Sequence, residues 1–147
     1  MFPSWHAKLC NRRSVHRLFS RYTILTLLSL FVAGSAWAME MVAYTPQSFA
    51  ELQKAGRAVA LHFHADWCPT CRAQAKVFDT LKSESDLPIT LMRVVYDDER
   101  QLRKKLGVRT QSTLIVYRGS KETGRIAGET DIDLLRSELQ TALSTTK

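Results

Sequence analysis

Residues 59–71 read VALHFHADWCPTC, and the fold follows from how this stretch divides. Val59–Ala65 is short, almost wholly apolar, and bounded by Gly56-Arg57 before it and Asp66 after it. Such a run suits a central strand buried on both faces. Beyond the motif, Ala73, Val77, Phe78 and Leu81 recur at helical spacing, which predicts a helix from Pro69 to about Lys82. Pro69 fits the first turn of that helix, where its missing N–H is not needed. Cys68 and Cys71 therefore stand where a buried strand ends and a helix begins.

Working outward, Met39–Tyr44 is short and apolar and reads as a first strand. Thr45-Pro46 supplies a hydroxyl cap and a proline for a helix carrying Phe49 and Leu52, which Gly56 ends. On the other side, Pro88–Tyr96 is a strand, and Asp97 or Asp98 caps a helix that runs to Leu106 and stops at Gly107. Thr113–Tyr117 is rich in β-branched and aromatic residues. Gly119-Ser120 turns the chain into a hairpin partner over Thr123–Ala127. Thr130 and Asp133 resemble a capping box for a last helix bearing Ile132, Leu134, Leu135, Leu139 and Leu143. Helices between strands imply parallel pairing, and the late hairpin implies an antiparallel edge. The fold class is α/β: a central mixed sheet of four to five strands with helices on both faces.

The N-terminal segment has a different character. The net charge is +7, but residues 1–38 hold Lys8, Arg12, Arg13, Arg17 and Arg21 and no acid. The remainder is nearly balanced, so the basicity makes no case for a nucleic-acid partner. After Arg21 comes the apolar run Tyr22–Ala33, then small residues at Ala36 and Ala38. This is the order of a secretory signal peptide cut after Ala38. The apolar run is well short of the roughly 20 residues that span a bilayer. An uncleaved anchor is the rival reading. The expected organisation is thus a leader over 1–38 and one domain over 39–147, in the periplasm or otherwise exported. The cysteines are Cys10, Cys68 and Cys71, and cleavage removes the first. The mature chain would then hold one Cys-x-x-Cys pair outside the reducing cytosol.

A cysteine at a helix N-terminus meets unpaired backbone N–H groups and the positive end of the helix dipole, and both favour its thiolate. Cys68 takes that place, so it is the expected nucleophile. Cys71, one turn on, is the more buried and less acidic partner that resolves the mixed disulfide. Trp67 offers an apolar contact surface beside the sulfurs. Zinc is a poor fit, because it normally takes four ligands and the mature chain adds only His62 and His64 to the pair. A purely structural disulfide closing so short a loop would remove little unfolded-chain entropy. Copper(I) capture by the thiolate pair is the more serious alternative, since soft thiolates suit that ion.

The strand VALHFHADW, the motif WCPTC and the later GVRTQSTLIVYRGSKETGRIAG together resemble the thioredoxin family over residues 42–143. The resemblance implies a thioredoxin fold and a redox-active disulfide between Cys68 and Cys71. It also implies thiol–disulfide oxidoreductase activity on protein disulfides, with no cofactor and no resident metal. Two positions depart from the family pattern. Where the family has a cis-proline in a stretch like Gly-x-x-x-x-Pro-Thr, this chain has Gly107-Val108-Arg109-Thr110-Gln111-Ser112-Thr113. Ser112 replaces the proline and brings a hydroxyl towards the sulfurs. A non-proline cis bond costs about 2.5–4 kcal/mol, so the 111–112 bond is expected to be trans. In the family this loop pairs with the substrate backbone, a role that would fall here on Gln111, Ser112 and Thr113. Where the family often has a buried acid ahead of the motif, this chain has His62, a residue able to relay protons near neutral pH or to serve as a hydrogen-bonded core histidine.

The dipeptide Pro69-Thr70 is neither the Gly-Pro of general reductants nor the Pro-His of the strong periplasmic oxidase. Its first residue matches the Pro-Tyr of glutaredoxins, and Ala-Asp-Trp-Cys at 65–68 resembles the reducing domain of membrane electron-transfer oxidoreductases. The expectation is a reductant of exported protein disulfides, working as a monomer and fed by a separate membrane thiol carrier. A disulfide oxidase or isomerase is the alternative within the same chemistry.

Overall fold

A computed structural model describes residues 38–84 and 86–144. The leader reading of 1–38 falls almost wholly outside them. Among the described residues no helix is long and apolar enough to cross a membrane.

The described residues form five strands and four helices in the order β1 (Glu40–Ala43), α1 (Pro46–Lys54), β2 (Ala58–His64), α2 (Pro69–Leu81), β3 (Thr90–Val95), α3 (Arg100–Leu106), β4 (Thr113–Arg118), β5 (Lys121–Ala127) and α4 (Ile132–Gln140). The sheet order is β1-β3-β2-β4-β5. The first three strands in that order run parallel, and β4 and β5 are antiparallel additions. Every residue of β2 is buried, as its apolar run predicts for the middle of a sheet covered on both sides.

Alternation along β2 divides the core. Ala58 and Ala60 join Phe78 and Leu81 of α2 and Leu135 and Leu139 of α4 on one face. Val59, Leu61 and Phe63 face the other way, towards Phe49 and Leu52 of α1 and Leu102 and Leu106 of α3. Helices therefore cover both faces. Continuing the same alternation, His62 and His64 fall on the side of α2, which becomes important at the site.

The structure corrects several local expectations. On α2 the fully buried residues are Cys71, Gln74, Phe78 and Leu81, so a polar glutamine stands in the apolar stripe and Ala73 and Val77 flank it. Helix α3 starts one or two residues later than a cap at Asp98 or Asp97 would place it. Its cap position is Glu99, with no side-chain capping bond, and Asp97 serves elsewhere. The last helix is capped by Asp131, whose carboxylate accepts from the N–H groups of Asp133 and Leu134, so Thr130 and Asp133 form no capping box. Leu135 and Leu139 face the core, and Leu134, one residue before Leu135, falls outside that stripe and is 51% exposed. Strand β5 begins at Lys121 because the turn is tight, with Gly119 at φ +57.

Candidate functional site

Strand β2 delivers the chain to the C-terminal edge of the sheet, and Ala65-Asp66-Trp67 leads into α2. Cys68 is the helix cap. Its backbone is extended, and its sulfur accepts the Cys71 N–H at 3.1 Å. Pro69 occupies the first turn, as its fixed φ favours. The half-buried Thr70 turns its N–H towards the same sulfur. Both cysteines are free thiols. Cys68 is 2% exposed, more covered than the sequence predicts for an attacking thiolate, because Ala65, Cys71 and Tyr96 pack round it.

The two thiols differ in acidity. Burial raises Cys68, but hydrogen bonds with Cys71 and Ser112 and from the N–H groups of Cys71 and Thr70 outweigh it, and its pKa falls below the usual thiol value. Burial raises Cys71 as well, and its contact with Cys68 adds to the rise. Cys68 is the more acidic of the pair and Cys71 the less acidic, the division that helix position predicts.

Ser112 reaches both sulfurs. Its Oγ lies 3.2 Å from Cys68 Sγ and 3.1 Å from Cys71 Sγ. The described residues contain no cis peptide bond, so the 111–112 bond is trans, and Ser112 takes φ +61 instead. Three hydrogen bonds hold it there. Its N–H donates to the Phe63 carbonyl at 2.9 Å, and its carbonyl accepts from the Gly128 N–H at 3.0 Å and from Gln74 Nε2 at 3.1 Å. Thr113 opens β4 opposite Phe63 and donates its hydroxyl to the Thr110 carbonyl at 2.8 Å. Gln111 is half-buried beside Ser112.

Gln74 is the residue that the sequence reading missed. It is fully buried on α2 and also donates to the Glu129 carbonyl at 2.7 Å, so it ties the cysteine-bearing helix to two loops. With both amide protons on carbonyls, its Oε1 is left to face His62 Nε2 at 3.0 Å, which fixes the proton on that nitrogen. The signal was present: a glutamine on the apolar stripe of an amphipathic helix is a buried polar group that must find partners.

His62 is thus placed against Gln74. Burial, reinforced by neighbouring His64 and by Arg93, lowers its pKa to about 4 and keeps it neutral. An amide does not carry protons onward, so the hydrogen bonds support the core-histidine reading of His62 over the relay. His64 turns Nε2 to Asp66 at 3.1 Å, leaving Nδ1 buried without a partner. Both imidazoles line a groove of about 670 Å³ with Met41, Leu91, Asp79 and Arg93. Asp66 is the hub of the rim: its carboxylate also pairs with Arg93, and its carbonyl accepts from Arg72 at 2.8 Å. Trp67 is 60% exposed, and its indole N–H donates to Asp97 at 2.8 Å, which holds the ring beside the cysteines as an apolar platform. Among the described residues no three His, Cys, Asp or Glu side chains gather to hold a metal ion.

A buried strand feeding an acidic cysteine at a helix start, with a less acidic partner one turn on, is a machine for thiol–disulfide exchange. The comparisons agree. The family model for thioredoxin matches residues 40–141. Thioredoxin from Chlamydia caviae is 31% identical over 77 residues, 52% of this chain and 74% of that protein. Thioredoxin 1 from Nostoc sp. is 29% identical over 70 residues, covering 48% of this chain and 65% of that one. Among solved structures, Trxlp from Edwardsiella tarda superposes with a TM-score of 0.64 at 29% identity, covering 68% of this chain and 98% of its own. The chain belongs to the thioredoxin family, and its dithiol, Cys68 and Cys71, places it among that family's thiol–disulfide oxidoreductases.

Proposed function

We propose that the protein is exported and acts as a monomeric reductant of disulfides in other exported proteins, with a membrane-bound thiol carrier restoring its dithiol. The observation that carries the direction is the set of groups around Cys68. Among the described residues the groups that lower its pKa are neutral: the Cys71 thiol, the Ser112 hydroxyl and two backbone N–H groups. Pro69-Thr70 places no charge beside it. A strong oxidant owes its potential to a heavily stabilised reduced form. Neutral hydrogen bonds alone favour a modest stabilisation and a lower potential. A separate electron donor is supported by the single cysteine pair within residues 39–147.

The test is the reduction potential of the Cys68–Cys71 couple, from equilibration with glutathione and dithiothreitol buffers. The expected value is near −270 mV, roughly that of thioredoxin, and a value near about −120 mV would make the protein an oxidase. Retained copper with no clean two-electron couple would favour the metal-capture alternative. Export is supported by the basic, apolar and small-residue succession of residues 1–38. N-terminal sequencing of the protein recovered after export is expected to start at Met39, and a start at Met1 in the membrane fraction would show an anchor.

A further inference from the structure

The Ser112 hydroxyl touches both sulfurs at once, 3.2 Å from Cys68 and 3.1 Å from Cys71. A hydroxyl has one proton to give and lone pairs to accept with, so it does not donate to both. With Cys68 the more acidic of the two thiols, the arrangement that suits all three atoms is a directed chain in which the Cys71 thiol donates to Oγ and Oγ donates to the Cys68 sulfur. The loop is built to keep it so. The backbone of Ser112 is pinned at φ +61 by Phe63, Gly128 and the buried amide of Gln74. A non-glycine residue in that conformation carries a steric cost, which the three bonds offset.

Cys71 is fully buried, and among the described residues its other acceptors are the Cys68 sulfur, which is no longer a base once it is bonded to substrate, and the Phe63 carbonyl at 3.9 Å, which is no base either. His62 on β2 gives its Nε2 proton to Gln74. We propose that Ser112 is a catalytic residue that relays the Cys71 proton to the departing substrate sulfur when the mixed disulfide resolves. The inference rests on the reading of the dithiol as an exchange centre and adds a step to it.

That step balances as follows. Cys68 is bonded to one substrate sulfur, and Cys71 is a thiol. The Cys71 sulfur attacks the Cys68 sulfur, and the Cys68–Cys71 bond forms. The bond from Cys68 to the substrate sulfur breaks, and its electron pair goes to that substrate sulfur. The Cys71 proton passes to Oγ as the hydroxyl's own proton passes to the departing sulfur, which leaves as a thiol. The serine is regenerated, the protein dithiol has been oxidised to a disulfide, and the substrate disulfide has been reduced. The departing sulfur is one covalent bond from the sulfur that Oγ already touches, so the hydroxyl serves both ends without a large movement.

The experiment follows the second step alone. Reduced protein, wild type and the variants Ser112→Ala and Ser112→Gly, is mixed with an alkyl disulfide or an aryl disulfide. Acid-quenched samples are then resolved into mixed and internal disulfide by mass spectrometry. Glycine accepts φ +61 freely, so this second variant folds even if alanine strains the loop. With the alkyl disulfide, whose thiolate leaves poorly unprotonated, both variants are expected to resolve about tenfold or more slowly at pH 7. With the aryl disulfide, whose acidic thiolate leaves unaided, the loss should be clearly smaller. At alkaline pH, where Cys71 ionises by itself, the loss should vanish. A loss equal for both leaving groups, or none, overturns the relay and leaves Ser112 a packing residue. A wild type that attacks neither disulfide is a different result, because it overturns the exchange reading beneath the proposal.

Discussion

Cys68→Ser removes disulfide exchange, with a loss on the order of a thousandfold or more, because an alcohol at neutral pH is neither ionised nor a comparable nucleophile. The substitution isolates chemistry from folding. Cys68 caps α2 through a bond from the Cys71 N–H, and serine is among the preferred residues for that duty. The helix start therefore survives, and a thermal melt should show little change. Cys71→Ser is expected to behave differently. Attack by Cys68 proceeds, resolution does not, and the protein stays joined to its substrate. Incubating Cys71→Ser with proteins from the exported compartment and separating the adducts without reductant should yield mixed disulfides that dithiothreitol releases. The double variant should yield none. Turnover retained by Cys68→Ser, or adducts that form equally well without Cys68, would show that the reacting sulfur lies elsewhere.

The fold was legible because its decisive residues act locally. An apolar run without alternation marks β2 as central, Thr45-Pro46 and Cys68-Pro69 mark helix starts, and Gly107 and Gly119 mark stops, all from backbone preferences that neighbours scarcely modify. The errors lay where several residues could do one job. Thr130, Asp131 and Asp133 all cap helices, and the choice of Asp131 depends on where the chain leaves β5. Asp97 and Asp98 both suit a helix start, yet Asp97 instead holds the Trp67 indole, thirty residues away in sequence.

At the site, the placement of Cys68 and Cys71 at the start of α2 was readable from the sequence, and the direction of their acidity difference followed from the helix start. The supporting network was not. Gln74, Glu129 and Ser112 belong to three separate segments that meet only after β4 has paired with β2. Replacement of the loop proline by Ser112 flagged an altered position but could not show a hydroxyl between two sulfurs. That depends on the left-handed backbone the loop adopts in place of a cis bond. The same network accounts for His62. In the sequence it occupies a place where an acid would face the cysteines, whereas in the fold Gln74 intercepts it.

Acidification should expose that buried histidine. In the unfolded chain His62 takes a proton near pH 6.5, while in the folded protein burial first, and the neighbouring His64 and Arg93 next, hold it off until about pH 4. Between those values the unfolded state binds more protons, so stability rises with pH and falls as pH is lowered. The loss begins near pH 6.5, grows steadily, and levels off for this group below about pH 4, amounting to about 3 kcal/mol. His64 is shifted in the same direction by burial and by Arg93, against the opposing pull of Asp66, and steepens the curve. Glu84, held low by Arg136, adds its own loss only at the acid end. Urea unfolding at closely spaced pH values checks this, with His62→Gln as the comparison. Glutamine keeps a donor for Gln74 but never ionises, so its stability should fall less between pH 6.5 and 4. Parallel curves for the two proteins would mean that His62 does not carry the acid sensitivity. A shallower curve for the variant, together with undiminished disulfide exchange at pH 7, would establish His62 as a neutral strut of the core and leave the movement of protons at the sulfurs to other groups.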